Sequence, residues 1–462
     1  MQEPLLPPGL LFGTATAAYQ VEGAATEGGR GPSIWDTYCR TPGRVARGES
    51  GDVACDHYHR YAEDVALLAD LGVDLYRFSV SWPRVQPEGR GKVNPEGLAF
   101  YDRLVDALLG AGIEPVLTLY HWDLPQALED EGGWRVRETA HRFGDYTRIV
   151  ADRLGDRVNR WITLNEPFCS AFVGHAVGRH APGTREGTPA LAAAHHLLLA
   201  HGTAVEELRA CGAGEVGITL NPDHLLPATN SEADRAAVER ARTLHNRTWF
   251  DPLFTGAYPD NEKETWGGLA DGSYRREGDL ETIGRPLDFL GVNFYRPIML
   301  RDAPHTEPDP ALRTAVDIGA EQVSFDGVRH TTMGWPVVPR SFEDLLVDLD
   351  RRYPGLPPIL ITENGSAEPD EPDPAGRVHD RDRVDYLRDH LSALAGAIEA
   401  GVDVRGYFVW SLLDNFEWAY GYERRFGLVR VDYRTLERHP KDSYHWYRDH
   451  LKVHRSRRAQ EG

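Results

Sequence analysis

Cysteine is scarce in this 462-residue chain: Cys39, Cys55, Cys169 and Cys211 lie far apart and form no CxxC pair. Usage this sparse fits a reducing compartment and disfavours a disulfide scaffold. No run of roughly 18 apolar residues appears, so no transmembrane helix is expected. The opening MQEPLLPPGLLFG has neither a basic segment nor a long apolar stretch and does not read as a signal peptide. A soluble, cytoplasmic protein is therefore expected. Cations are also short: 51 Lys and Arg against 71 Asp and Glu leave a net charge of −20 and a pI near 5.4. That acid excess repels phosphate backbones and anionic lipid, which disfavours a nucleic-acid or membrane-surface role. Gly and Pro together make only 77 residues of 462, well short of low complexity. What the chain has in excess is aromatic: 11 Trp, 19 Tyr and 15 Phe, enough for a core or for a surface that stacks on something flat.

A length prior of about 150 residues per domain suggests three domains, but α/β barrels exceed it as single units. Short β-rich runs alternate with helical stretches. The runs are LLFGTATAA (10–18), LYRFSVSW (75–82), EPVLTLYHW (114–122), RWITLNEP (160–167), EVGITLNPD (215–223), LDFLGVNFY (287–295), PILITENG (358–365) and VRGYFVWSLLDNFEW (404–418). Periodic segments at 61–72, 97–112, 143–155 and 383–401 separate them. Near-continuous apolar strands between amphipathic helices signal a parallel sheet covered by helices, and eight strands close a (β/α)8 barrel. The polar stretches 301–332 and 366–380 follow strand tips and read as long βα loops around the mouth. One barrel domain over 1–450 is predicted, with a basic tail, 451–462, that frays.

The strand tips end in YQ, SW, HW, NEP, NPD, NFY, ENG and NFEW. Turns favour Gly, Pro, Asn, Asp and Ser, so recurrent Trp, Tyr, Glu, His and Gln point to a ligand-binding face. Glu166 and Glu363 occupy similar tips on runs four and seven, three steps apart on a ring of eight. Paired carboxylates across a barrel mouth suit glycoside hydrolysis, retaining or inverting according to their gap; alternatively each glutamate caps the next helix. Arg77 is a cation inside an apolar strand and needs a carboxylate partner. Glu363 is the expected one, with Tyr295 donating a hydrogen bond; a structural Arg–Asp bridge is the other option. Gln20, His121, Asn165 and Glu417 suit adjacent sugar hydroxyls, and Trp122, Trp335, Trp410 and Trp418 offer flat faces for a pyranose.

The motifs FGTATAAYQVEGA, YRFSVSWPRV, LTLYHWDLP, TLNEP, GVNFY, ITENG and WSLLDNFEW resemble, in order and spacing, glycoside hydrolase family 1, the retaining β-glucosidase family, from about Leu11 to about Tyr444. The resemblance implies a retaining exo-acting β-glycosidase, most closely a β-glucosidase acting on a small β-glycoside without metal or cofactor. Glu166 then becomes the acid/base and Glu363 the nucleophile, with Asn293 and Tyr295 beside the latter. It further implies glycone contacts from Gln20, His121, Trp122, Asn165, Glu417 and Trp418, with Trp410 as a floor. Trp335 becomes a leaving-group platform, and Asn221, His180 and Cys169 fall in that outer region. Leu10 and Ser366 depart from the family pattern at positions expected to affect packing. A 6-phospho-β-glycosidase is the nearest alternative: Arg424 and Arg425 lie close by, but Glu417 would repel a phosphate. A thioglucosidase is disfavoured by Glu166, and a non-catalytic carbohydrate-binding barrel by the presence of both carboxylates. A metal-dependent hydrolase would need partners for His57, His59, His195 and His196, which lie away from the tips.

Overall fold

The computed structural model describes residues 6–309 and 312–461. Eight parallel strands form a closed ring in chain order: β1 (Leu11–Ala15), β2 (Leu75–Ser79), β3 (Glu114–Tyr120), β4 (Arg160–Asn165), β5 (Glu215–Leu220), β6 (Phe289–Asn293), β7 (Ile359–Asn364) and β8 (Val404–Trp410). Each lies within one of the apolar runs read from the sequence. β8 returns to β1 with Leu11 opposite Gly406 and Ala15 opposite Trp410, which completes the (β/α)8 barrel.

A helix follows every strand: α1 (His57–Leu71), α2 (Pro95–Gly110), α3 (Glu138–Leu154), α4 (Thr188–Ala210), α5 (Glu232–Arg242), α6 (Pro339–Arg352), α7 (Arg381–Glu399) and α8 (Asp442–Glu461). α2 shows how local sequence sets a start. Asn94 accepts from the Glu96 amide, and Pro95 occupies a first-turn position where no amide hydrogen is needed. α3 buries Phe143, Tyr146, Val150 and Leu154, spaced three and four apart on one stripe.

Side chains alternate across each strand, so the inward residues stack in layers. Leu75, Val116, Ile162, Phe289, Leu360 and Phe408 make the lower apolar layer. Gly13 leaves room for it, because a Cβ there would stand 2.5 Å from the Phe408 ring. Two residues further along, the same inward face carries Arg77, Thr118, Thr362 and Trp410. The barrel thus turns from apolar to polar as it approaches its C-terminal mouth.

Both polar stretches lie in βα loops, after β6 and after β7. The strands Pro297–Asp302 and Ala320–Val323 join His224–Pro227 in a small three-stranded sheet. The segment after residue 450, expected to fray, instead continues α8 to Glu461. Leu451 and His454 share one buried face; the His454 ring sits 4.8 Å from that of Phe12, and its Nε2 lies 3.1 Å from the Leu10 carbonyl oxygen. Leu10 itself is buried beneath this contact.

Candidate active site

The strands that lead to Glu166 and Glu363 are both irregular. Register shifts interrupt β4 on β5 between Ile162 and Asn165, and β7 on β6 between Ile361 and Glu363. Such bulges bend a strand end and re-aim its side chains. Three residues of the mouth also hold left-handed backbone, Trp122 (φ 76°), Glu166 (φ 43°) and Trp418 (φ 49°). Non-glycine residues in that region carry strain of roughly 1–3 kcal/mol each, which the surrounding packing must override.

Arg77 organises the floor of the mouth. Its guanidinium donates to Glu363 Oε1 at 2.7 Å, to the Thr362 carbonyl at 3.1 Å, to Asn165 Oδ1 at 2.5 Å and to Thr118 Oγ1 at 3.1 Å. The other Glu363 oxygen accepts from the Tyr295 hydroxyl at 2.6 Å. Glu166 is held differently: Asn293 Nδ2 donates to Oε1 at 2.7 Å and the Cys169 thiol to Oε2 at 3.2 Å. One carboxylate therefore has a cation and a phenol, the other only neutral donors.

That difference decides where a proton sits. Burial, then the charge of Glu363, pushes the Glu166 carboxyl up to about 8. Burial raises Glu363 as well, but Arg77, Tyr295 and Asn293 all pull it back down. With one proton between them, Glu166 holds it and Glu363 keeps the negative charge. The Cys169 thiol is itself pushed well up by burial and by Glu166, so it stays a protonated donor.

A cavity opens above these groups. Its walls include Gln20, His121, Trp122, His180, Trp410, Glu417 and Trp418, and further out Asn221 and Trp335. Arg77 and Asn165 stand directly beneath it. Asn165 Oδ1 accepts from Arg77 and Asn293, which fixes its amide as a donor to His121 Nε2 at 3.1 Å. His121, driven well below its ordinary value by burial and then by Arg77, is neutral with its proton on Nδ1. Gln20 donates to Asn415 Oδ1 and the Phe416 carbonyl, both at 2.9 Å, and its Oε1 has no partner among the described residues. Trp122 Nε1 is committed to the Asn165 carbonyl at 2.9 Å, so this residue presents ring surface only.

The Trp418 ring lies 4.5 Å from both Trp122 and Trp35, and His121 stacks on Trp410 at 5.9 Å. Trp35, which backs Trp418 together with Tyr19 of the first tip, carries no sequence signal of its own because it lies off the strand tips. Cys169, grouped by resemblance with the outer region, lies 4.0 Å from Asn221 Nδ2 and also touches Glu166, since the turn after Pro167 brings position i+3 under position i. His180 packs between Trp35 and Trp122 at 5.4 and 5.2 Å, in the inner aromatic wall. Arg179 and Arg296 from loops, Asp223 from the NPD tip and His245 from the helical turn Thr243–Arg247 also line the outer cavity, and the sequence singles out none of them. The histidines away from the tips join scaffold pairs: His57 Nδ1 with Asp64 at 2.7 Å, and His195 Nε2 with Asp279 at 2.7 Å.

Comparison with known proteins agrees with this architecture. The family model of glycosyl hydrolase family 1 matches residues 2–456. Thermostable beta-glucosidase B of Thermobispora bispora is 51% identical over 96% of this chain and 90% of its own length. A bifunctional beta-D-glucosidase/beta-D-fucosidase of Bifidobacterium breve is 48% identical over 98% and 99%. The crystal structure of a psychrophilic beta-glucosidase from Micrococcus antarcticus superposes with a TM-score of 0.94 at 46% identity, covering 98% of this chain and 100% of that one.

Proposed function

We propose that this chain, which belongs to glycosyl hydrolase family 1, is a retaining exo-acting β-glucosidase that releases terminal β-D-glucosyl residues. The observation carrying the reading is the asymmetry of the two carboxylates: Glu363 is bound by Arg77 and Tyr295, while Glu166 is buried among neutral donors. Glu363 attacks the anomeric carbon while Glu166 gives its proton to the departing oxygen, so the aglycone leaves neutral. The bond from Glu363 to the sugar neutralises the nucleophile, which removes the charge that had raised Glu166. Glu166, now a carboxylate, takes a proton from water as its oxygen attacks the anomeric carbon. The glycosyl–Glu363 bond breaks and the sugar departs with its original configuration.

Gln20 and Glu417 provide the hydrogen bonds to the glycone, His121 and Asn165 add to them, and Trp410 and Trp418 give the apolar surface beneath the ring. Burial, Glu363 and Glu166 push the Glu417 carboxyl up to about 8, so at neutral pH it can also donate. The phospho reading is not favoured. Arg425 is tied to Asp414 Oδ2 at 2.6 Å, and Arg424 lies over the Tyr420 ring. A panel of 4-nitrophenyl β-glycosides (gluco, galacto, fuco and 6-phospho-gluco), with NMR of the first-formed anomer, tests the assignment. Turnover of the glucoside with β-glucose formed first is expected; exclusive turnover of the phosphoglucoside, or α-glucose formed first, overturns it.

A further inference from the structure

The outer half of the cavity holds two cations that the reaction does not use. Arg296 immediately follows Tyr295, whose hydroxyl touches Glu363, and its guanidinium lies 5.7 Å from the centre of the Trp335 ring. Its Nη1 is buried and has no hydrogen-bond partner among the described residues. Arg179 lines the same cavity and is close enough to destabilise the Arg296 charge. Asp223, the acid acting on Arg296, is itself paired with His245, Nδ1 to Oδ2 at 2.7 Å. Burial and the second arginine leave Arg296 below its ordinary value despite that acid. A desolvated guanidinium with a free N–H, beside another cation and above a flat ring, is a receptor lacking its anion.

We propose that Arg296 and Arg179 form an anion-recognising end of the aglycone subsite, which selects β-glucosides whose leaving group carries a carboxylate. The planar guanidinium matches a carboxylate in bidentate fashion, and Trp335 takes the ring, aromatic or pyranose, that bears it. Charge also sets the direction in which such a substrate enters. Glu363 keeps its negative charge at the inner end and disfavours an anionic glycone there, whereas the cations lie at the outer end, where the aglycone lies in the proposed β-glucosidase. The inference rests on that function only for the orientation of the substrate.

The test compares 4-carboxyphenyl with 4-carbamoylphenyl β-glucoside, and β-glucosyl-glucuronate with cellobiose, by kcat/KM in the native enzyme, Arg296→Gln and Arg179→Gln. The 1-thio analogues of the two aryl glucosides, compared by Kd, read binding without turnover. A carboxylate preference of roughly 10–100-fold is expected from a charge-assisted bidentate contact. It should fall about tenfold in Arg296→Gln, fall less in Arg179→Gln, and shrink with added salt. A preference confined to the aryl pair names phenolic acids as the class, and one confined to the disaccharides names uronic acids; either supports the proposal. Ratios that agree within about twofold among the three proteins, in both turnover and thio-analogue binding, overturn it. Loss of hydrolysis with a retained, arginine-dependent Kd ratio would instead sink the β-glucosidase reading and leave the anion site standing.

Discussion

Removing the Tyr295 hydroxyl isolates the support of the nucleophile. Tyr295→Phe keeps the ring, which packs on Trp335 at 5.3 Å and Phe426 at 5.9 Å, and deletes one donor 2.6 Å from Glu363 Oε2. A hydrogen bond to a charged group contributes about 1.5–3 kcal/mol. It acts on the ionised form alone, and about 1.36 kcal/mol corresponds to one pH unit, so its loss raises the Glu363 carboxyl by about 1–2 units. The sign follows from the role: the nucleophile must be ionised, so the acid limb of kcat/KM moves to higher pH. Activity is lost first on the acidic side and recovers as pH rises. The assay is kcat/KM against pH for 2,4-dinitrophenyl β-glucoside, whose leaving group departs without protonation, so the Glu166 limb does not intrude. A folded Tyr295→Phe protein whose acid limb stays within about 0.3 units of the native position, or moves down, refutes the reasoning.

Glu363→Ala should lose about a million-fold in turnover, the scale seen when other covalent nucleophiles are removed, and azide should restore it as the α-glycosyl azide; a β-azide product contradicts the double displacement. In Glu166→Gln the basic limb near pH 8 should vanish, and alkyl glucosides should lose about 10²–10⁴ more than dinitrophenyl glucoside. Equal losses would deny Glu166 the acid role. Asp123, buried at the β3 tip, has its carboxyl pushed up to about 8 chiefly by burial. The folded chain therefore keeps a proton that the unfolded chain releases from about pH 4 upward, and stability falls between about pH 4 and 8. Thermal melts should show the Tm of Asp123→Asn gaining on the native protein across that window; a constant gap would refute the assignment.

The barrel was legible because its determinants are periodic and local. Every strand announced itself as a short apolar run, and the tip residues stood out against ordinary turn chemistry. Arg77 was legible for a sharper reason, since a cation within LYRFSVSW has to be matched by a buried acid. The supporting wall was not legible. Trp35 reaches Trp418 from the helix Ile34–Arg40, which tertiary packing puts in place, and Arg179 and Arg296 enter the cavity from loops. The contact of the Cys169 thiol with Glu166 was not legible, because it depends on the turn after Pro167. The tail misled through composition: KVHRSRRAQEG looks solvated, yet Leu451 and His454 fall on one helical face and dock on the first strand.

Gln20 is held by Asn415 and Phe416, partners 395 and 396 positions away in the chain. During synthesis the first sugar-reading residue therefore emerges long before the groups that orient it. A ribosome-bound chain ending between residues 363 and 415 has both glutamates but still lacks Glu417 and Trp418. Catalytic competence should appear late and abruptly as the chain lengthens, which gives nascent-chain activity a use as a clock for barrel closure.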